Sequence, residues 1–156
     1  MTAPSTYQEW LTCFDIIKNE ANPDGELFEA LCAGSFSGSE ITAAALQRQI
    51  VAAVNGLLDK GVKRFTRRLN ECLEFSEISG ADMLFKRLKS DVRRAMFFTR
   101  LEFLPESFVS ELEDSVKAEM SGFWEDTLRF LGEQSLEAGD PGLEDALFAI
   151  KRISLF

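Results

Sequence analysis

EITAAALQRQIVAAVNGLLDKGVKRFTRRLNECLEF, residues 40–75, decides the fold. Its apolar side chains Ile50, Val54, Leu57, Phe65, Leu69 and Cys72 recur at spacings of 3, 4 or 8, with Gly61 on the same face. That is the period of an α-helix that buries one stripe, and no alternating strand pattern competes with it. Ser39 is well suited to cap its N-terminus. Gly56 and Gly61 each cost about 1 kcal/mol relative to alanine and are the obvious places to bend or break it. A full break would place Lys60, Lys63 and Arg64 in a new first turn, where the helix dipole disfavours cations. The expectation is therefore one bent, continuous helix.

The same period extends in both directions. Upstream, Thr6 and Glu9 form a capping-box pair, and the following turns put Trp10, Phe14 and Ile17 on one face. Asn22-Pro23-Asp24-Gly25 reads as a turn. A short helix over residues 26–33 buries Leu27, Leu31 and Phe28, and Gly34 suits a left-handed position beyond its end. Downstream, residues 76–80 read as a turn, with Ser79 and Asp82 as a second capping pair. A helix over residues 81–103 buries Leu84, Leu88, Val92, Ala95 and Met96, with Phe85 and Phe98 flanking. Pro105 fits the first turn of the next helix, which repeats Phe108, Leu112, Val116, Met120, Phe123 and Leu131 and closes at Gly132. Asp140-Pro141 starts a last helix that buries Leu143, Leu147 and Ile150. The fold expected is all-α, a compact bundle of about six helices with two or three long central ones. At 156 residues the whole chain, 1–156, is expected to form a single helical domain.

Charge is segregated along the chain. Residues 1–59 carry 2 basic and 8 acidic side chains, residues 60–100 carry 11 and 5, and residues 101–156 carry 4 and 13. A basic middle between acidic ends either pairs inside the fold or presents a positive face. Lys60, Lys63, Arg64 and Arg67 follow i, i+3, i+4, i+7 and make one stripe, and Lys86, Lys89, Arg93 and Arg100 make a second. An antiparallel hairpin turning near Ile78 sets both stripes at similar height. The carboxylates of the fifth helix, Glu111, Glu113, Asp114 and Glu119 among them, are the internal partners expected to neutralise them. Aromatic side chains are not interleaved with these cations, which weakens a single-strand-binding reading.

Catalytic chemistry is sparse. The chain has no His, which removes the commonest general base and metal ligand. The centre of Gly34-Ser35-Phe36-Ser37-Gly38 is Phe, so no nucleophile elbow exists, and no phosphate-binding glycine pattern occurs. Glu71, Glu74 and Glu77, with Glu111 and Asp114, resemble in spacing alone the carboxylates by which helical nucleotide pyrophosphatases hold Mg²⁺. A chain with 26 acidic residues generates such pairs on solvated faces constantly. Cys13, Cys32 and Cys72 are too far apart in sequence for a metal motif and read as buried, reduced thiols. No secretory signal opens the chain, and no apolar run approaches the ~20 residues of a membrane span.

The functional expectation is a non-catalytic, cytoplasmic protein-binding module: an acidic inhibitor, an immunity- or antitoxin-like protein, or an adaptor that occludes or bridges a partner. No catalytic, cofactor or metal residues are assigned and no membrane is involved. The partner is another protein, with a basic one suited to the acidic last third. The partner-binding candidates are Lys63, Arg64, Arg67, Lys86, Lys89, Arg93, Glu113, Asp114 and Glu119. The alternative is a subunit of a nucleic-acid assembly that meets phosphates through the basic middle. A carboxylate-metal hydrolase ranks below both.

Overall fold

The computed structural model describes residues 2–19, 25–75, 81–139 and 141–156. Among them lie six α-helices and no strand: α1 Tyr7–Asn19, α2 Gly25–Cys32, α3 Glu40–Glu74, α4 Ala81–Met96, α5 Glu106–Ala138 and α6 Pro141–Ile150, with a 3-10 turn at Phe97–Arg100 after α4. The chain is all-α, as its periodicity predicts. Residues 22–24 of the first expected turn, the turn at 76–80 with Glu77 and the Ser79 cap, and the Asp140 cap lie outside the described residues, and Gly25, expected to end the first turn, opens α2 instead.

Local chemistry explains where several helices begin. The Thr6 hydroxyl accepts from the Glu9 N–H at 3.3 Å, and the Glu9 carboxylate accepts from the Thr6 N–H at 3.1 Å. The Ser5 N–H also donates to that carboxylate, at 2.7 Å. These donors, Ser5 first and Thr6 next, hold the Glu9 carboxyl below the ordinary carboxylate range. Ser39 caps α3, its hydroxyl accepting from the Thr42 N–H at 3.3 Å. The first helical acceptor of α5 is the Pro105 carbonyl, which takes the Val109 N–H at 3.1 Å. Proline therefore stands one position ahead of the helix rather than inside its first turn.

Three helix ends differ from expectation. α5 passes through Gly132 and stops at Ala138, and the residue with positive φ is Gly139, at 60°. Gly34 is not left-handed. Its N–H closes a tight turn onto the Leu31 carbonyl at 3.0 Å, and its missing side chain makes room for Trp10. A Cβ at Gly34 would lie 2.7 Å from Trp10 Cζ2. α4 also ends earlier than expected, at Met96.

The described residues form two compact units, one within Met1–Leu58 and Arg94–Glu113, the other within Asp59–Arg93 and Asp114–Phe156. The first is organised on Trp10, which is fully buried. Its ring lies 5.4 Å from Phe103 and 6.0 Å from Phe14, and Phe14 lies 6.0 Å from Phe98. Leu46, Ile50, Val54 and Leu57 supply the α3 face of this core. By length and composition α3 is the one helix among the described residues that is apolar enough to cross a membrane. Its stripe from Leu46 to Leu58 is already covered by protein.

The second unit is built on Phe85, which the sequence places at the flank of α4 and the structure places at full burial. Phe85 meets Phe65 and Trp124 edge-on, each at 4.8 Å between ring centroids. Leu88, Val92, Val116, Met120 and Leu131 complete its core. Phe65 of α3 meets Phe85 of α4, and Gly61 of α3 meets Asp91 of α4. Numbers rise on one helix as they fall on the other, so this part of α3 and α4 runs antiparallel.

The two glycines of α3 are not equivalent. A Cβ at Gly61 would lie 2.9 Å from Asp91 Cβ, whereas at Gly56 it meets nothing within 4 Å. Gly56→Ala should raise stability by about 0.5–1 kcal/mol, the helix-propensity gain. Gly61→Ala should lower it, because overpacking costs about 1–3 kcal/mol and outweighs that gain. Urea midpoints of the two variants should move in opposite directions, and a shared gain would show that α4 yields at Asp91.

Candidate functional site

The second unit contains a recess of about 190 Å³ between α3 and α4, lined by Gly61, Arg64, Phe65, Arg68, Leu84, Arg87, Leu88 and Asp91. Each helix contributes residues at i, i+3, i+4 and i+7: 61, 64, 65 and 68 from α3, and 84, 87, 88 and 91 from α4. That spacing is one helix face, so the recess is where the two faces meet. Phe65 and Leu88 are also core residues, which fixes the orientation of both helices about it. Gly61 lets the two backbones approach at one end of the recess.

Three arginines line the recess. Arg64 Nη2 lies 3.8 Å from Asp91 Oδ1, and both side chains are largely covered, at 24% and 9% exposed. Arg68 lies at the rim and pairs with Glu71 at 3.4 Å. No carboxylate of the described residues lies within ion-pairing distance of Arg87. Of the three lining cations, Arg64 is held by Asp91 and Arg68 by Glu71, and Arg87 is the one with no carboxylate partner among the described residues. Planar guanidiniums offer forked donors suited to carboxylates and phosphates.

Of the residues singled out from sequence, Arg64 alone lines this recess. Lys63 and Arg67 each precede a recess arginine by one position, about 100° around the helix. Lys63 pairs with Asp59 at 2.8 Å, and Arg67 is exposed. On α4, Lys86 pairs with Asp82 at 3.5 Å. Lys89 and Arg93 point away from the recess, Arg93 being about 200° around from Asp91. Among the described residues Arg67, Lys89 and Arg93 have no carboxylate partner. The carboxylates that pair with Lys63, Arg64 and Lys86 come from α3 and α4 themselves, not from α5. On α5, Asp114 and Glu119 are exposed and Glu113 is half-buried.

Arg68, Arg87 and Asp91 were not singled out by sequence. The signal that finds them is the i, i+3, i+4, i+7 set anchored on Gly61 and Phe65, which belong to the core stripe.

No group of three His, Cys, Asp or Glu able to hold a metal occurs among the described residues. Only Cys13 of the three thiols is buried; Cys32 is exposed and Cys72 half-buried, and all three are free. Burial, with Glu9 nearby, pushes the Cys13 thiol above its ordinary pKa. No family model, curated protein or solved structure matches this chain significantly.

Proposed function

We propose that this chain is a non-catalytic protein-binding module, of the adaptor or inhibitor kind, that engages its partner through the α3–α4 recess. The observation that carries the reading is that Arg64, Arg68 and Arg87 line one recess together with Phe65, Leu84 and Leu88. Cations beside an apolar floor suit a charged group on an otherwise apolar surface. The volume, about 190 Å³, lies below the roughly 300–1,000 Å³ of small-molecule and cofactor sites. It suits one or two partner side chains. A chain without His also lacks the usual means of activating a nucleophile. A cytoplasmic setting belongs to the same proposal.

Arg68 and Arg87 are both exposed and therefore separable from folding. Arg64 is not, because it is largely covered and paired with the buried Asp91 carboxylate, and removing one partner of a buried pair destabilises the fold. The test is a pull-down from native lysate with the native chain and with R68Q/R87Q, each captured protein quantified by mass spectrometry. At least one protein should be held by the native chain and lost from the variant. An identical captured set from both chains would refute binding through this recess.

The nucleic-acid reading draws on the exposed, unpartnered Arg67 and Arg93 and the half-exposed Lys89. Against it stands the net charge of −9, which repels a polyphosphate at long range. Salt-sensitive retardation of single-stranded RNA, abolished by changing Lys63, Arg67, Lys89 and Arg93 to Gln, would put that reading first.

A further inference from the structure

We infer that the ligand of the α3–α4 recess is a short acidic and apolar segment of a partner protein, which places one carboxylate among Arg64, Arg68 and Arg87. This rests on the protein-binding reading above and names its ligand. Three observations select a carboxylate over a phosphate and a peptide over a small anion.

The first is charge. Asp91 sits inside the recess, 3.8 Å from Arg64, and Glu71 holds Arg68 at 3.4 Å. That leaves Arg87 as the lining cation without a carboxylate partner among the described residues, and one carboxylate suffices to pair it. A phosphate dianion in the same space would face Asp91 at short range, in a partly desolvated site where like charges repel strongly. The second is the floor. Phe65 and Leu88 are buried and Leu84 half-buried, so methylenes reaching in with the carboxylate find apolar cover.

The third is what continues the face beyond the recess. Seven residues after Arg68, one position past the end of α3 and still bonded by its N–H to the Glu71 carbonyl at 3.1 Å, stands Phe75; four residues before Arg87 on α4 stands Met83. They are 68% and 63% exposed, among the most exposed large apolar side chains of the chain. By helix rise Phe75 lies about 10 Å along the axis from Arg68, and Met83 about 6 Å from Arg87. A carboxylate in the recess therefore leaves the neighbouring residues of its own chain within reach of two uncovered apolar side chains. Methionine and aromatic side chains are favoured at peptide-binding surfaces because they adapt and bury much area.

The test uses the full chain and fluorescein-labelled synthetic peptides of about a dozen residues. One set places Leu or Phe three or four residues from Glu. Control sets replace Glu by Gln or by phosphoserine, and further arms use inorganic phosphate and single-stranded RNA. Anisotropy gives affinity, and backbone amide shifts give the site. The Glu set should bind in the micromolar range and shift amides of residues 61–68 and 84–91. The Gln set should bind roughly tenfold more weakly or worse, as expected when charge-assisted hydrogen bonds are lost. R68Q/R87Q should weaken the Glu set by a similar factor, with an unchanged melting temperature. Met83→Ser should weaken peptides bearing Leu or Phe and leave their Ala versions unaffected.

Equal binding of the Glu and Gln sets overturns the inference. So does stronger binding of phosphoserine, phosphate or RNA at the same amides. No binding by any peptide, while R68Q/R87Q still loses a captured protein from lysate, overturns the acidic-segment inference and leaves the module reading standing. A captured set unchanged by R68Q/R87Q removes both.

Discussion

Phe85→Ala should destabilise the protein by about 3–5 kcal/mol, the cost of emptying a fully buried aromatic site. Phe85 is 0% exposed and presents edges to two aromatic neighbours at once, Phe65 and Trp124. Such pairs are worth about 0.5–1.5 kcal/mol each beyond the area they bury. The packing cannot close easily over the vacancy, because Phe65 is itself held edge-on by Phe123 at 5.7 Å. Against a total stability of about 5–15 kcal/mol the loss is a large fraction. The melting temperature should fall by about 10 °C or more for a chain of this size. Phe148→Ala is the control. Phe148 is 62% exposed with the Arg152 guanidinium 4.4 Å over its ring, and its loss should stay within about 1 kcal/mol. Thermal melts followed by circular dichroism decide the matter, and equal shifts in the two variants would place Phe85 outside the core. The recess should suffer as well, since Phe65 is part of its floor. Phe85→Ala should therefore weaken capture of any partner that R68Q/R87Q also loses.

The helices were legible because burial imposes a period. Ile50, Val54, Leu57, Phe65 and Leu69 repeat at helical spacing, and all five are buried. The Thr6–Glu9 and Ser39 caps were legible because each acts within a few residues of itself. The helix ends were less so. Gly132 costs α5 about 1 kcal/mol, yet the flanking Leu131 and Ser135 are buried and the helix continues through it to Ala138. Gly34 reads as a left-handed cap when only its neighbours in sequence are considered. Its reason is the indole of Trp10, 24 residues away. The recess shows the same limit more sharply. A cation stripe at 60, 63, 64 and 67 and a recess face at 61, 64, 65 and 68 have identical spacing and differ by one position. Cations alone do not choose between them. The choice is made by which register keeps Gly61 and Phe65 against α4, and so the sequence stripe found Arg64 and missed Arg68. Asp91 escaped notice because an acidic residue in a basic helix reads as solvated, whereas the close approach at Gly61 covers it.

Trp10→Ala should produce a second loss of about 3–5 kcal/mol, and it also tests how far the chain unfolds as one body. Trp10 is 0% exposed. Its indole Nε1 donates to the Ser35 carbonyl at 2.8 Å, and its ring fills the space left by Gly34. Alanine removes the aromatic contacts to Phe14 and Phe103 and leaves that carbonyl without its donor, which alone costs about 1–3 kcal/mol if water cannot replace it. Trp10→Phe keeps most of the buried area and should cost less, separating the hydrogen bond from the packing. The chain has 2 Trp, so Trp10→Ala leaves Trp124 as the sole indole reporter, and Trp124 belongs to the other compact unit. Urea unfolding is then followed twice, by far-ultraviolet circular dichroism for all helices and by Trp124 fluorescence for the second unit. A single domain requires both signals to shift to the same lower midpoint with an unchanged slope. The physical ground for expecting this is covalent and local: α3 supplies Ile50 and Val54 to one core and Phe65 and Leu69 to the other within one uninterrupted helix. Fraying that helix at one end removes backbone hydrogen bonds that the other end propagates from. If Trp124 keeps its midpoint while the dichroism splits into two transitions, the units fold independently and the single-domain expectation fails.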